Sequence, residues 1–318
     1  MKTISEIGEF GFISDIRKNL KYNSRNIVVG NGDDCAVLKY GNKLLLFTTD
    51  SIVEDIHFKK DWFTPLQIGK KAVEINVSDI AAMGGKPKYM LVSLFLPKNT
   101  ELSYIKAVYR GLKKCCDKYS IALIGGNMSE GSQLILSLTL IGEVSKADLT
   151  LRNGAKPGDN IYITGPLGKA AAGMDAIILN TKKQCSLKDA FLEPEAKLTQ
   201  ASKIAKYATS MIDLSDGLVS DLNHIIIESG CGAILEEETI PVNNSVKKLA
   251  QRSGKKALDY ALYGGEDYEL LFTVSPENLK LMDAIFIGKI TKGKDLILEN
   301  RSGRIKLKEK AYNHFIKS

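Results

Sequence analysis

The sequence predicts two α/β domains built on mixed sheets, and three observations carry that expectation. Both halves of the 318-residue chain interleave strand-sized apolar runs with longer amphipathic stretches. Each half also carries its own glycine–acid turns: Gly30-Asn31-Gly32-Asp33-Asp34 in the first, Asp213-Leu214-Ser215-Asp216-Gly217 and Gly264-Gly265-Glu266-Asp267 in the second. Between them, Leu151-Arg152-Asn153-Gly154-Ala155-Lys156-Pro157-Gly158-Asp159 is turn-rich and reads as a joint. The expected domains are 1–148 and 149–318.

Taken in order, residues 1 to about 25 look helical, and strands follow near 26–29, 35–40 and 43–49, with Gly41-Asn42 as a tight hairpin turn. Thr64-Pro65 is a good N-cap and first-turn pair for a helix to Met83, closed by Gly84-Gly85. A strand from Tyr89 to Leu96, a helix from Leu102 to Tyr119, a strand from Ile121 to Ile124 leading into Gly125-Gly126-Asn127, and a long strand from Leu134 to Val144 complete the first half. After the joint come a strand from Asn160 to Thr164, the run Gly165-Pro166-Leu167-Gly168 and a helix to Leu179. Strand, glycines and helix start make a potential phosphate cradle, though glycines there serve close packing as often. A helix over Lys197 to Tyr207 and a strand ending at Met211-Ile212 follow. Ser215 is placed as the N-cap of a helix to Glu228, stopped by Gly230. Strands Glu269 to Val274, 285–290, 296–300 and 304–309 close the chain, with Ser302-Gly303 as a hairpin turn.

The helix from Thr64 carries chemistry. Ile68, Ala72, Ile75, Asp79 and Met83 follow three- and four-residue steps and share one face, which puts Asp79 in the apolar stripe. A buried carboxylate needs a partner, a metal or a proton. Asp34 and Asp50 are the nearest acids in sequence, and two carboxylates ~4 Å apart repel by roughly 4 kcal/mol at an effective dielectric near 20. A cation reverses that sign; a structural acid capping a helix or pairing with a lysine is the alternative.

Composition narrows the classes. The net charge is +7, but arginine is scarce and the lysines are scattered without interleaved aromatics. That favours a lysine-coated surface over a nucleic-acid-binding protein. No apolar run is long enough to cross a bilayer, and the first residues do not form a signal peptide. The five cysteines are odd in number and irregularly spaced, which predicts free thiols in a reducing cytoplasm. The recurring Asp, Asn, Glu and Thr groups are hard oxygen ligands suited to magnesium; zinc would ask for spaced histidines and thiolates, and the three histidines are far apart. No Ser-His-Asp signature, P-loop or protein-kinase motif is legible, so a bound nucleoside triphosphate would be held through metals.

Several motifs occur in a telling order: Gly32-Asp33-Asp34, Thr48-Thr49-Asp50, His57-Phe58, Asn76-Val77-Ser78-Asp79-Ile80-Ala81-Ala82-Met83-Gly84, Gly154 to Asp159, Asp213 to Leu218, and Gly264-Gly265-Glu266-Asp267-Tyr268-Glu269-Leu270. Together they resemble the thiamine-monophosphate kinase family, within an ATP-binding superfamily that includes aminoimidazole ribonucleotide synthetase and selenophosphate synthetase. The resemblance runs from Gly8-Glu9-Phe10 to Tyr312-Asn313-His314-Phe315, and the runs from Asn76 and from Gly264 are its most specific parts.

The resemblance implies an aminoimidazole ribonucleotide synthetase-like fold whose first domain dimerises with its copy. It implies ATP as co-substrate and several Mg2+ ions, bound by Asp34, Asp50, Asp79, Asp213 and Asp216 with Thr48 and Thr49 helping. Tyr109, Gly126, Asn127, Arg152 and Ser215 match nucleotide-contacting positions; His57, Glu266 and Tyr312 match substrate-contacting ones. Read from the residues alone, His57 is a polar loop residue, Tyr109 a packing residue and Tyr312 a core plug. The implied reaction moves the ATP γ-phosphoryl group directly to thiamine monophosphate, giving the diphosphate; the acceptor oxygen is already ionised, so no general base is expected. Asn127 departs from the family's usual aspartate, which removes a charge from one metal position. Rival expectations are another ATP-dependent enzyme of the superfamily and an ATP-binding homologue with weakened catalysis. Selenophosphate synthesis is disfavoured because 1–26 contains no cysteine.

Overall fold

Alternating burial builds the first of two sheets. A computed structural model describes residues 3–20, 24–181, 185–281 and 284–308. The first half runs α1 (Ile4–Asn19), β1 (Ile27–Val29), β2 (Ala36–Tyr40), β3 (Lys43–Val53), α2 (Pro65–Ala82), β4 (Lys86–Leu96), α3 (Leu102–Tyr119), β5 (Ala122–Glu130) and β6 (Ile135–Val144). Its six strands lie in the order β1-β2-β3-β6-β4-β5, antiparallel except for the β4–β5 pair. On β3, Leu46, Thr48 and Ile52 are buried at two-residue intervals, so Asp50 shares their face. Helix α2 packs on β3, β4 and β6, and α3 packs on α2.

The second half runs β7 (Asn160–Ile163), α4 (Lys169–Ile178), α5 (Cys185–Leu192), α6 (Leu198–Ile204), β8 (Ala208–Asp213), α7 (Leu218–Ser229), β9 (Gly232–Glu236), α8 (Asn244–Ser253), α9 (Ala257–Tyr263), β10 (Leu270–Val274), β11 (Ile285–Thr291), β12 (Leu296–Asn300) and β13 (Gly303–Lys306). Seven strands form a mixed sheet ordered β13-β12-β9-β11-β7-β10-β8, with β9 and β12 parallel. The fold is therefore a pair of mixed-sheet α/β units. Helix α2 touches both, because its far side meets α5, α6 and β8.

Four expectations need correction. β3 continues to Val53, so Asp50 lies inside a strand rather than at its end. β5 runs straight through Gly125-Gly126-Asn127. The glycines there admit a close strand neighbour: a Cβ on Gly126 would sit 1.9 Å from the Val92 carbonyl oxygen. Helix α7 begins at Leu218 with Gly217, not Ser215, at its N-cap; the Asp221 carboxylate takes the Asp216 and Gly217 N–H groups instead. The last hairpin turns at Arg301-Ser302, with Gly303 already in β13. The elements α5, β9, α8 and α9 were not anticipated.

The α2–α3 crossing depends on two glycines. A Cβ on Gly69 would lie 2.0 Å from the Val108 carbonyl oxygen, and one on Gly111 would lie 2.1 Å from that of Leu66. Gly111→Ala is therefore expected to destabilise the protein by about 1–3 kcal/mol through overpacking, although alanine is intrinsically the better helix former by roughly 1 kcal/mol. Denaturant unfolding of the variant checks this, and a gain in stability would show that the helices have room to separate.

Candidate active site

Asn76, Ser78 and Asp79 of α2 draw two other elements, β3 and β8, together. Thr64 caps the helix in a reciprocal box with Gln67, which fixes its start above β3. β2 stops pairing at Phe47, so among the described residues the rest of β3 has no strand neighbour on that side. Asn76 fills the gap: its Oδ1 accepts the Asp50 N–H at 3.1 Å while its Nδ2 donates to Ala72 O at 2.9 Å. Ser78 donates to Asp213 Oδ2 at 2.6 Å, holding the end of β8 against the helix. Asp79 accepts a short hydrogen bond from Thr48 Oγ1. The motif thus joins β3 of one sheet to β8 of the other.

The result is a knot of acids. One carboxylate oxygen each from Asp34, Asp79 and Asp213 lies within 4.8 Å of the others. The Asp34 side chain is 1% exposed; its Oδ1 takes Arg152 Nη2 at 2.5 Å, and its buried Oδ2 has no hydrogen-bond partner among the described residues. Asp33 accepts the Arg152 and Asp34 N–H groups at 3.1 Å each. One guanidinium cannot neutralise this much charge. Burial and then Asp34 push Asp213 up to about 8 and Asp33 to about 7. Burial followed by Asp50, Asp213 and Asp34 lifts Asp79 well above the carboxylate range, and burial and Asp34 raise Asp50. Cys35, buried beside them, is likewise held as a thiol.

These groups fit a hard divalent cation. Burial has removed water from them, their ligand atoms are oxygens, and Asp34 Oδ2 is a desolvated acceptor without a donor. A second group, Asp216, Asp221 and His224, brings ligand atoms within 4.8 Å of one another at the start of α7. Burial and then Arg152 depress His224 to about 4, which leaves its imidazole neutral.

The other expected residues divide. Arg152 is at the acid knot, and Ser215 and Asp216 are in the loop that follows Asp213. Thr48 faces the knot, whereas the Thr49 hydroxyl points to the opposite face of β3 and donates to Leu138 O at 3.0 Å. His57 uses Nδ1 to accept the Val53 N–H. Tyr109 is half-buried on α3 with its ring against the first core. Gly126 and Asn127 lie on β5, far across the sheet: Asn127 aligns with Ser93, then Ser137, then Ser51, three strand spacings or roughly 14 Å away. Glu266 pairs with the buried Lys71. Tyr312 lies outside the described residues.

Sequence reasoning missed Lys71, Asn76, Ser78, Asp221 and His224 as site-building residues. Lys71 falls three positions after Ile68 and four before Ile75, a spacing that could have flagged it. Asp221 and His224, three apart, share a helix face.

A carboxyl whose folded-state pKa is raised takes up a proton on folding, so its contribution to stability is complete below the ordinary value of 3.8 and is lost as pH rises towards about 8. In chelator-treated protein, Asp213→Asn is therefore expected to melt above the parent near pH 8, by at least about 2 °C, with the gap closing as pH falls towards 4. A variant that melts below the parent at the upper end would contradict a repulsive cluster.

Known proteins resemble the chain throughout. The family of the AIR synthase related protein, N-terminal domain, matches residues 32–144, and that of the C-terminal domain matches 156–299. Thiamine-monophosphate kinase of Aquifex aeolicus is 36% identical over 98% of this chain and 99% of its own. The Bacillus subtilis thiamine-monophosphate kinase is 36% identical over 96% and 99%. The solved structure of AaThiL complexed with AMPPCP and TMP superposes with a TM-score of 0.90 at 36% identity, covering 99% of both chains. With both domain families matched and full-length relatives above a third identical, the chain belongs to the thiamine-monophosphate kinase family.

Proposed function

We propose that this chain transfers the γ-phosphoryl group of ATP to thiamine monophosphate, giving thiamine diphosphate, with magnesium ions held by Asp34, Asp50, Asp79, Asp213 and Asp216. The observation that carries the reading is the desolvated Asp34–Asp79–Asp213 cluster with an open oxygen on Asp34. AMPPCP and TMP in the complex of AaThiL support the two substrates. When bound, magnesium would hold phosphate oxygens and offset their charge. The chain's own residues prepare the site: Thr48 and Ser78 each donate a hydroxyl, fixing Asp79 and Asp213, and Arg152 orients Asp34. With an ionised phosphate as acceptor, positioning and charge compensation suffice, and no side chain is assigned as a base.

Around this centre, Arg152, Ser215 and Tyr109 are proposed to meet the nucleotide, and Gly126 and Asn127 to meet it from the far edge strand of the sheet; Thr48 and, through its main-chain oxygen because its hydroxyl faces away, Thr49 are proposed to help the metal ions, and His57, Glu266 and Tyr312 to meet the substrate. The same reading assigns metal binding and dimerisation to 1–148, with 149–318 closing over the site, and it places the protein in the cytoplasm as a homodimer. The dimer is supported by β5, an edge strand exposed along most of its length, with Leu123, Ile124 and Met128 at 44%, 57% and 64% exposure. An open apolar strand edge is a pairing surface. Light scattering is expected to report a mass near twice the 34.9 kDa chain; a single-chain mass at working concentration removes this part of the proposal.

Diphosphate formation from ATP, thiamine monophosphate and magnesium tests the whole reading. The parent should turn over, and Asp79→Asn should lose at least about a hundredfold in kcat, the scale of removing one transition-state charge contact. Turnover unchanged in that variant would sink the assignment of the acid cluster. Asn127 is proposed as a further magnesium ligand, so in the same assay Asn127→Asp should lower the magnesium concentration needed for half-maximal rate; an identical magnesium curve would remove Asn127 from the metal ligands.

A further inference from the structure

Lys71 is a buried charge that the proposed reaction leaves unexplained. It lies on α2 at 1% side-chain exposure. Its Nζ stands 4.4 Å from the Phe191 ring centroid and 5.2 Å from that of Phe63, two rings that themselves meet edge to face. Its Nζ lies 2.9 Å from Glu266 Oε1 and 3.0 Å from Oε2. Phe63 comes from the loop before α2, while Phe191 and Glu266 belong to the second half of the chain. Burying an ammonium costs several kcal/mol, and an apolar side chain of similar size in such a place is often at least as stable. Stability alone does not call for a lysine here.

Glu266 is held with equal care. It adopts a left-handed backbone, φ 65°, which is unusual for a side-chain-bearing residue. Its N–H is tied to Ser215 O at 2.8 Å, directly beside the acid loop, and the Tyr268 N–H is tied to Leu214 O at 2.9 Å. Gly265 permits the approach, since a Cβ there would meet Ser215 O at 2.4 Å. The Glu266 side chain remains 28% exposed although both its oxygens meet the buried Lys71. A fixed, half-exposed carboxylate next to a phosphate site suits a hydrogen-bond donor or cation on a ligand and repels phosphate itself.

We infer that Lys71 is a positioning residue for substrate recognition: caged by Phe63 and Phe191, it aims Glu266 at the thiamine end of the substrate and masks part of its charge from the phosphate end. This rests on the proposed contact between Glu266 and substrate. Lys71 touches no reacting atom in this account and acts only through Glu266.

Steady-state kinetics on full-length Lys71→Met, Lys71→Gln, Glu266→Gln and the double variant Lys71→Met/Glu266→Gln, each with its melting temperature, test the inference. Lys71→Met should raise the KM for thiamine monophosphate about tenfold or more, the size of a lost charged hydrogen bond, while kcat and the KM for ATP stay within about twofold. The double variant should match Glu266→Gln alone in that KM, because the lysine has nothing left to position, yet regain melting temperature lost in Lys71→Met. Lys71→Gln, which keeps one donor and covers the case of a poorly folding methionine variant, should raise the same KM by a smaller factor. Equal rises in both KM values, additive effects in the double variant, or a folded Lys71→Met or Lys71→Gln with parental KM would overturn the positioning role. If Glu266→Gln leaves the thiamine monophosphate KM unchanged, the substrate contact of Glu266 itself fails; if it raises that KM while the lysine variants do not, this inference fails alone.

Discussion

Carboxylates forced within 4.8 Å of one another, out of water, set the terms for everything around them. At that spacing, each ionised pair repels by roughly 3–4 kcal/mol at an effective dielectric of 20. A chain left to relax would swing such side chains apart. Here they cannot separate, because each is anchored from behind: Asp79 by Thr48, Asp213 by Ser78, Asp34 by Arg152, and the Asp50 backbone by Asn76. Three of those anchors involve α2. The helix is thus less a core element that happens to carry an acid than a rigid bar on which acids from both sheets are mounted.

That role explains why α2 has so many buried polar groups. Lys71, Glu74, Asn76 and Ser78 are all inside, each joined to another element. Glu74 receives Lys118 Nζ and Tyr119 OH from α3 and the Ala196 N–H from the segment leading to α6. Together with Lys71 and Ser78 it makes the two halves of the chain share one helix. A purely apolar α2 would bury its faces at less desolvation cost, but nothing would fix its rotation or its register against β8. The run from Gly264 to Leu270 follows the same logic. Its three acids do three separate jobs: Glu266 meets Lys71, Asp267 takes the Gly168 and Ala170 N–H groups at the start of α4, and Glu269 joins Thr164 and Lys197.

Much of this was readable in advance, and the boundary follows the range of the signals. Period 3.6 in the run from Ile68 to Met83 located α2 and put Asp79 on its inner face, because helix periodicity is local. The Gly-rich turns located Asp34 and Asp213 for the same reason. The short elements α5, β9, α8 and α9 went unread, since runs of 5–10 residues carry little periodic signal. β5 was cut short at Gly125 because a glycine pair reads as a turn, while only the neighbouring Val92 carbonyl shows why glycine is needed. The helix period marks Lys71 as inward-facing, but it does not say what Lys71 or Ser78 meets. Their partners, Glu266 and Asp213, are 195 and 135 positions away, and no local pattern encodes such a pairing.

The electrostatics then separate two scales that the net charge alone confuses. The surface is lysine-rich and the chain carries +7, a long-range field that attracts polyanions such as nucleotides and phosphate esters. The centre is the reverse, a pit of carboxylates that would repel those same anions at contact. Protons relieve the pit near neutral pH, as the raised values of Asp33 and Asp213 reflect. A divalent cation relieves it more completely and also turns it into an attractive surface for phosphate oxygens. In the proposed reaction, this repulsion would make anion binding conditional on cation binding.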